Sequence, residues 1–197
     1  MTVLVAYASR YGATAEIAER IALTLIEEGV DARAQQITKV RDLAGVDAFV
    51  LGSAVYFGSW LKPATAFVER NRETLADRPV WLFSSGPLPG AVVPERVAKA
   101  TTDRPAPDGP APSDSAAEPV SSDDARPKGV DELASSLGAR GHQVFQGALD
   151  PHKLGVRDKM IRAMPAGKGL LPEVDARDWA AIEGWALEIA TALKRES

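Results

Sequence analysis

The residues with the clearest capacity for chemistry form a short loop near the start of the chain. The loop consists of Ser9, Arg10, Tyr11, Gly12, Ala13 and Thr14. An apolar run precedes it, and apolar residues at three- and four-residue spacing follow it, which predicts a buried strand, a tight turn at Gly12 and an amphipathic helix. Backbone amides and the hydroxyls of Ser9 and Thr14 would then meet at the helix N-terminus, which favours a phosphate group. The alternative is an ordinary turn capped by Thr14, since the loop matches neither a P-loop nor a three-glycine dinucleotide fingerprint.

Two later loops, each after another apolar run, combine small residues, hydroxyls and aromatic rings. The first ring loop consists of Ser53, Ala54, Val55, Tyr56, Phe57 and Gly58, and the second ring loop consists of Ser84, Ser85, Gly86 and Pro87. Ligands of open parallel sheets bind beyond the carboxyl ends of the strands, so a flat ring between these loops is expected beside the phosphate. Tyr56 is the main candidate for stacking on that ring. Phe57 and Trp60 either stack there too or anchor the next helix in the core.

Strands and helices alternate along the chain and supply the frame for these loops. Strands are predicted over residues 2–8, 30–37, 48–53, 79–83 and 143–149. Helices are predicted before Gly29 and over residues 63–72, 130–139 and 178–194, with Asp178 or Asp175 as the cap of the last. This order predicts one α/β domain over residues 1–197, with a five-stranded parallel sheet between two layers of helices.

Two segments interrupt this alternation. Residues 101–128 are rich in Pro, Asp, Ser and Ala, with almost no large apolar side chain, and are expected to form a mobile insert. Residues 151–177 mix basic and apolar side chains in an otherwise acidic protein. This second insert is expected either to attract carboxylates or anionic lipid headgroups, which makes 151–168 a candidate for peripheral membrane contact, or to pack over the sheet end as an amphipathic helix.

Composition argues against several classes of function. The chain has 197 residues, a formal net charge of −4 and no cysteine, which speaks against nucleic-acid binding, disulfides, thiolate metal sites and cysteine nucleophiles. No apolar run approaches the roughly 20 residues of a membrane span and no signal peptide is visible, so a cytoplasmic protein is expected. His142 and His152 lie in no carboxylate-rich pattern, and no metal site is predicted. No side chain stands out as a proton-transfer catalyst.

The strand Val3–Ala8 and the three loops together resemble the flavodoxin family. The resemblance implies a flavodoxin-like three-layer sandwich with strand order 2-1-3-4-5 and a bound FMN. It places the phosphate of FMN at residues 9–14 and the ring between residues 53–58 and 84–87. A deazaflavin is the alternative cofactor, because the phosphate loop does not distinguish the two.

A narrower resemblance is to the menaquinone-dependent protoporphyrinogen oxidases of heme biosynthesis. It rests on the first ring loop, on Gly147-Ala148-Leu149, on the segment 158–164 and on Asp178-Trp179. It implies an FMN-dependent oxidoreductase with a small redox substrate and a quinone acceptor. The segment 151–177 would then lie beside the flavin, where it helps to receive the substrate or the quinone, at the inner face of the membrane.

Two other functions remain open at this point. One is a flavodoxin-type FMN electron-transfer protein or a quinone reductase. The other is a module that has lost the flavin and acts as an interaction protein through its Pro-rich insert.

Overall fold

The computed structural model describes residues 1–56, 58–86, 126–149 and 174–196. The described strands are β1 (Thr2–Ala8), β2 (Asp31–Gln36), β3 (Ala48–Tyr56), β4 (Ser59–Trp60), β5 (Val80–Ser85), β6 (Gly141–Phe145), β7 (Ala148–Leu149) and β8 (Val174–Asp175). The described helices are α1 (Ala13–Glu27), α2 (Lys62–Arg70), α3 (Arg72–Ala76), α4 (Val130–Leu137) and α5 (Trp179–Lys194), with one 3-10 turn at Ile37–Lys39. Several predictions lie outside the described residues: those for Phe57, Pro87, His152, most of the Pro-rich insert (101–125) and most of the basic insert (151–173).

The main sheet has the order β2-β1-β3-β5-β6, and all of these neighbours are parallel. The five strands predicted from the sequence are these five, so the flavodoxin-like order 2-1-3-4-5 is confirmed. The short β4 pairs antiparallel with the end of β3 and lies off this path. In the register, Ala8 pairs with Ser53 and Ser53 pairs with Ser84. The strand ends that precede the three predicted loops therefore lie at one edge of the sheet.

Each face of the sheet is covered by helices and forms its own core. On one face, α1 and α5 bury residues such as Ile17, Ile21 and Ile182 against Val5 and Phe83. The opposite face buries another set of apolar side chains, which includes Leu4, Leu51, Trp60, Phe67 and Leu82. Alternate residues of the central strands β1, β3 and β5 belong to opposite cores, as expected for a sheet with both faces covered. Within the described residues, no helix is long and apolar enough to cross a membrane.

The loop expected after residue 53 begins in fact as strand. β3 continues to Tyr56, the chain turns through Gly58 at φ 73°, and β4 returns so that Tyr56 pairs with Ser59. The small residues Gly52, Ser53 and Ala54 suggest a loop at this point of the sequence. Val55 and Tyr56 favour extended backbone, and the strand continues through them. The first ring loop is therefore the tip of a short hairpin.

Two other elements predicted as continuous each form two separate elements in the structure. The helix predicted over 63–72 ends at Arg70, because the Asn71 side-chain amide donates to the carbonyl of Phe67 at 2.7 Å and a second short helix follows. The strand predicted over 143–149 becomes β6 and β7, and β7 leaves the main sheet to pair with β8. Of the two predicted caps of the last helix, Asp178 is the N-cap and accepts from the amide of Ala181.

Candidate functional site

The loop 9–14 folds around a glycine at the start of α1. Gly12 is the N-cap of the helix at φ 99°, and no side chain caps that helix end. Ser9 Oγ accepts a hydrogen bond of 3.0 Å from the Gly12 amide, so this hydroxyl fixes the loop from within. Thr14 lies inside the first turn and is 1% exposed. The alternative of a turn capped by Thr14 is therefore wrong, and an anion-binding helix end without a side-chain cap is what the loop offers.

Two tyrosines and an arginine connect this loop to the first ring loop. The rings of Tyr11 and Tyr56 have centroids 6.3 Å apart and are tilted by 59°. The Arg10 guanidinium carbon lies 5.4 Å from the Tyr11 centroid and 5.1 Å from the Tyr56 centroid. Burial raises the pKa of Tyr56 to about 12, although the charge of Arg10 acts in the opposite direction. Tyr56 is thus a neutral ring beside a permanent positive charge at physiological pH.

The arrangement fits a ligand that joins a phosphate to a flat ring. Tyr11 Oη is buried and has no hydrogen-bond partner among the described residues, and a buried hydroxyl without a partner is costly unless a ligand supplies one. The N-terminus of α1, which has no side-chain cap, offers backbone amides to a phosphate, and Tyr56 offers an aromatic surface at the end of the neighbouring strand. FMN has both groups. The residues present therefore fit the cofactor that the sequence resemblance implied.

Ser53 and Ser84 use their side chains inside the core. Ser53 Oγ accepts from the Leu61 amide at 3.0 Å and donates to the Ala54 carbonyl at 2.9 Å. Ser84 Oγ accepts from Trp60 Nε1 at 2.8 Å. Trp60 is 6% exposed, so it anchors the core, and the idea that it stacks on a bound ring is not retained. The two serines keep only backbone groups for a cofactor.

His142 completes a buried polar chain that sequence reasoning missed. Its Nε2 shares a hydrogen bond of 2.8 Å with Ser84 Oγ, and its Nδ1 is buried with no partner in the described ranges. Burial is the main cause that lowers the pKa of His142, and the charge of Arg126 adds to it. The two residues are 58 positions apart, so no local pattern could have revealed the contact. Across the described parts of the chain, no group of three or more metal-ligating side chains comes together.

The lowered pKa of His142 predicts that stability falls as the pH drops below about 6.5. The unfolded chain takes up a proton near the ordinary pKa of 6.5, whereas the folded protein takes it up only at lower pH. The unfolded state therefore binds more protons in this window, and the free energy of unfolding decreases. Melting temperatures from about pH 7.5 to about pH 5.5 should fall more steeply for the wild type than for His142→Gln. Parallel pH profiles for the two proteins would contradict this assignment.

The second ring loop lies between the ends of β3 and β6. The Gly86 amide donates to the Phe145 carbonyl at 2.9 Å. An added Cβ on Gly147 would lie 3.3 Å from Ser85 Oγ, so the chain after β6 packs closely on this loop. β7 follows directly, and β8 returns beside it, with the Ala176 amide donating to the Gly147 carbonyl at 3.2 Å. Leu149 and Val174, the described residues on either side of positions 150–173, therefore pair with each other close to the second ring loop.

Comparisons with known proteins agree with this architecture. A family model described as a flavodoxin domain matches residues 4–168. A solved flavodoxin from the domain Archaea is 16% identical with a TM-score of 0.55, over 98% of this chain and 99% of its own. A mutant flavodoxin from Pseudomonas aeruginosa is 17% identical with a TM-score of 0.54, over 98% of this chain and 99% of its own.

A larger protein also contains this fold. The rubredoxin oxygen:oxidoreductase of the anaerobe Desulfovibrio gigas is 12% identical with a TM-score of 0.58, and the match covers 98% of this chain but 36% of that one. No curated protein matches the chain. At these identities, the solved structures establish the fold alone.

Proposed function

Because the chain belongs to the flavodoxin domain family and its cofactor is FMN, we propose that it is an FMN-dependent oxidoreductase that moves electrons from a small reduced substrate to a quinone. The proposed substrate is protoporphyrinogen and the proposed acceptor is menaquinone. When bound, FMN supplies the hydride or two-electron chemistry, as a flavin does in other flavoproteins. The protein then has to bind the cofactor, orient it and leave one side open to the substrate.

Different residues of the proposed site bind the phosphate and orient the ring. The first turn of α1, with Thr14, holds the phosphate. Tyr56 packs against the ring as a neutral aromatic surface, since its pKa is raised to about 12. Arg10 contributes a positive charge within about 5 Å of both tyrosine rings, and such a charge favours electron-rich, anionic groups nearby. The second ring loop, which begins with Ser84, Ser85 and Gly86, borders the proposed ring position from the next strand end.

The unequal lining of the two ring loops is the observation that favours an enzyme over a carrier. The first ring loop supplies the aromatic side chain of Tyr56, whereas the described part of the second ring loop supplies only two serines and a glycine. Small residues leave room for a second flat molecule beside the cofactor. The paired strands β7 and β8, which flank positions 150–173 in the sequence, lie at that same place, and the sequence between them includes Lys153, Arg157 and Lys159. Basic side chains suit the propionate carboxylates of a porphyrinogen.

The experiment uses the FMN-loaded protein without oxygen. Adding protoporphyrinogen should bleach the flavin absorption, and adding a menaquinone analogue in excess should restore the flavin bands and, over repeated two-electron turnovers, yield protoporphyrin. Protein stripped of FMN is the control and should give no enzymatic product. If dithionite bleaches the flavin but protoporphyrinogen leaves it unchanged, the substrate assignment fails and a flavodoxin-type electron carrier becomes the better account, which the fold also supports.

A quinone acceptor also bears on where the protein acts. Menaquinone resides in the bilayer, so a protein that reduces it must reach the membrane surface. We propose that the basic segment 151–168 makes a peripheral contact with anionic lipids at the cytoplasmic face. Sedimentation with vesicles that contain an anionic phospholipid tests this, and vesicles of neutral lipid serve as the control. Equal sedimentation with both kinds of vesicle would contradict the proposed contact.

Thr14→Val should weaken FMN binding about 5- to 10-fold, which corresponds to one lost hydrogen bond. Valine has the shape of threonine, so the buried position tolerates it while the hydroxyl is removed. Riboflavin, which has the same ring but no phosphate, should bind both proteins equally. The dissociation constants follow from quenching of flavin fluorescence. An unchanged affinity for FMN would remove the Thr14 hydroxyl from the phosphate site.

A further inference from the structure

The first turn of α1 contains a carboxylate where a phosphate is expected. Glu16 lies two residues after Thr14, and its amide donates to the Gly12 carbonyl at 3.0 Å. The helix end attracts anions through its free amides and its dipole. A negative side chain in that same first turn opposes the attraction. The site therefore needs a positive group that compensates Glu16.

Arg177 supplies that positive group from a distant part of the sequence. Its Nη1 donates to Glu16 Oε2, although the two residues are 161 positions apart. Its Nε and Nη2 donate to the two oxygens of Asp175 at 2.8 and 2.6 Å. The guanidinium carbon also lies 4.6 Å from the centroid of the Trp179 ring. The Arg177 side chain is only 10% exposed. Its contacts with Asp175 and Trp179 hold it in the position from which it pairs with Glu16.

The residue that balances the charge of Glu16 lies between β8 and α5. Arg177 lies two residues after the end of β8, the strand that pairs with β7 beside the second ring loop. Arginine holds carboxylates in a fixed, two-pronged geometry, and its charge is permanent. A clamp of this kind would hold α5 on α1 in any case. Its place at the phosphate-binding end of α1 gives it a second effect.

We propose that Arg177 is a positioning residue of the cofactor site, which neutralises Glu16 so that the N-terminus of α1 keeps its affinity for the phosphate of FMN. The inference rests on the proposed FMN site. Arg177 is proposed to affect binding of the phosphate group of FMN and not binding of the flavin ring. Riboflavin therefore separates the electrostatic role from a merely structural one.

The test measures dissociation constants of FMN and of riboflavin for the full chain and four variants. Arg177→Gln should weaken FMN binding about 5-fold and change riboflavin binding less than about 2-fold. The loss should shrink at high salt, because screening weakens the repulsion by Glu16. The double variant Glu16→Gln with Arg177→Gln should regain most of the FMN affinity.

Glu16→Gln alone breaks the same ion pair, and the electrostatic role and a purely structural role predict opposite results for this variant. If Arg177 acts through charge, FMN binding should be unchanged or tighter in this variant, because a repulsive carboxylate has gone. If the pair is only a clamp, FMN binding should weaken. Arg20→Gln is the matched control, since Arg20 lies 5.6 Å from the same Trp179 ring but pairs with Glu183. It should change neither dissociation constant.

Three results would overturn the proposal. The first is an equal loss of FMN and riboflavin binding in Arg177→Gln, and the second is a double variant that stays as weak as Arg177→Gln. The third is weaker FMN binding in Glu16→Gln, which still applies if Arg177→Gln does not fold. A wild-type protein that binds neither flavin would refute the FMN site itself, and that outcome is distinct from the other three.

Discussion

Gly52→Ala should lower the free energy of unfolding by about 3 kcal/mol, because the new methyl group would enter a filled core. Gly52 lies in β3 under the ring of Phe83, and an added Cβ would be 2.0 Å from Cζ and 2.2 Å from Cε1 of that ring. Phe83 is fully buried. Its ring contacts Phe145 and Trp185, with centroids 6.1 and 6.3 Å away. A shift of the Phe83 ring away from the new methyl group would therefore disturb these two aromatic contacts.

Urea unfolding of the variant measures this loss, and a second glycine provides the control. Gly184 lies inside α5, and an added Cβ there would meet nothing within 4 Å. Gly184→Ala should therefore raise the free energy of unfolding by about 0.5–1 kcal/mol, as alanine does in helix interiors. Adding Phe83→Leu to Gly52→Ala should recover part of the lost stability, because the smaller side chain leaves room. A Gly52→Ala protein as stable as the wild type would show that the Phe83 ring can yield.

Gly12→Ala should weaken FMN binding by about 10- to 30-fold. Gly12 has φ 99°, a backbone conformation that costs a residue with a Cβ about 1–2 kcal/mol. The free variant can relax to another conformation, which moves the first-turn amides of α1 away from the phosphate position. Binding must then restore the strained turn, and the cost of doing so appears as lost affinity. Riboflavin should lose less affinity than FMN.

The control for this variant lies at the other end of the same helix. Gly29 follows α1 at φ 80°, and an added Cβ there meets nothing within 4 Å. Gly29→Ala should reduce stability by a similar amount and leave FMN binding unchanged. If both variants bind FMN as the wild type does, the loop at Gly12 does not hold the phosphate.

The fold could be predicted because its signals are local. The three central strands β1, β3 and β5 are short apolar runs that lead into loops of small and polar residues, and each long helix carries an apolar stripe. Alternation of the two gives a parallel sheet with few alternative topologies. The three loops then meet because the carboxyl ends of parallel strands share an edge. This topology brings the loops that carry Tyr11 and Tyr56 to the same edge of the sheet.

The features that escaped prediction depend on contacts between distant residues. Whether Trp60 stacks or packs is decided by its hydrogen bond to Ser84, 24 positions away. His142 meets Ser84 across neighbouring strands, and Glu16 meets Arg177 across almost the whole chain. Asp175 is not the cap of α5, because the guanidinium of Arg177 hydrogen-bonds its carboxylate and lowers its pKa. Pairings of single polar residues leave no periodic pattern in a sequence.

The most direct test of the central claim is an absorption spectrum of the purified protein before and after incubation with FMN, followed by removal of free flavin. We expect flavin bands that remain with the protein at one FMN per chain, and that disappear on reduction and return on oxidation. Gly12→Ala should retain less flavin than Gly29→Ala under the same conditions. A protein that retains no flavin after incubation would contradict the account, and the fold would then serve an interaction without redox chemistry.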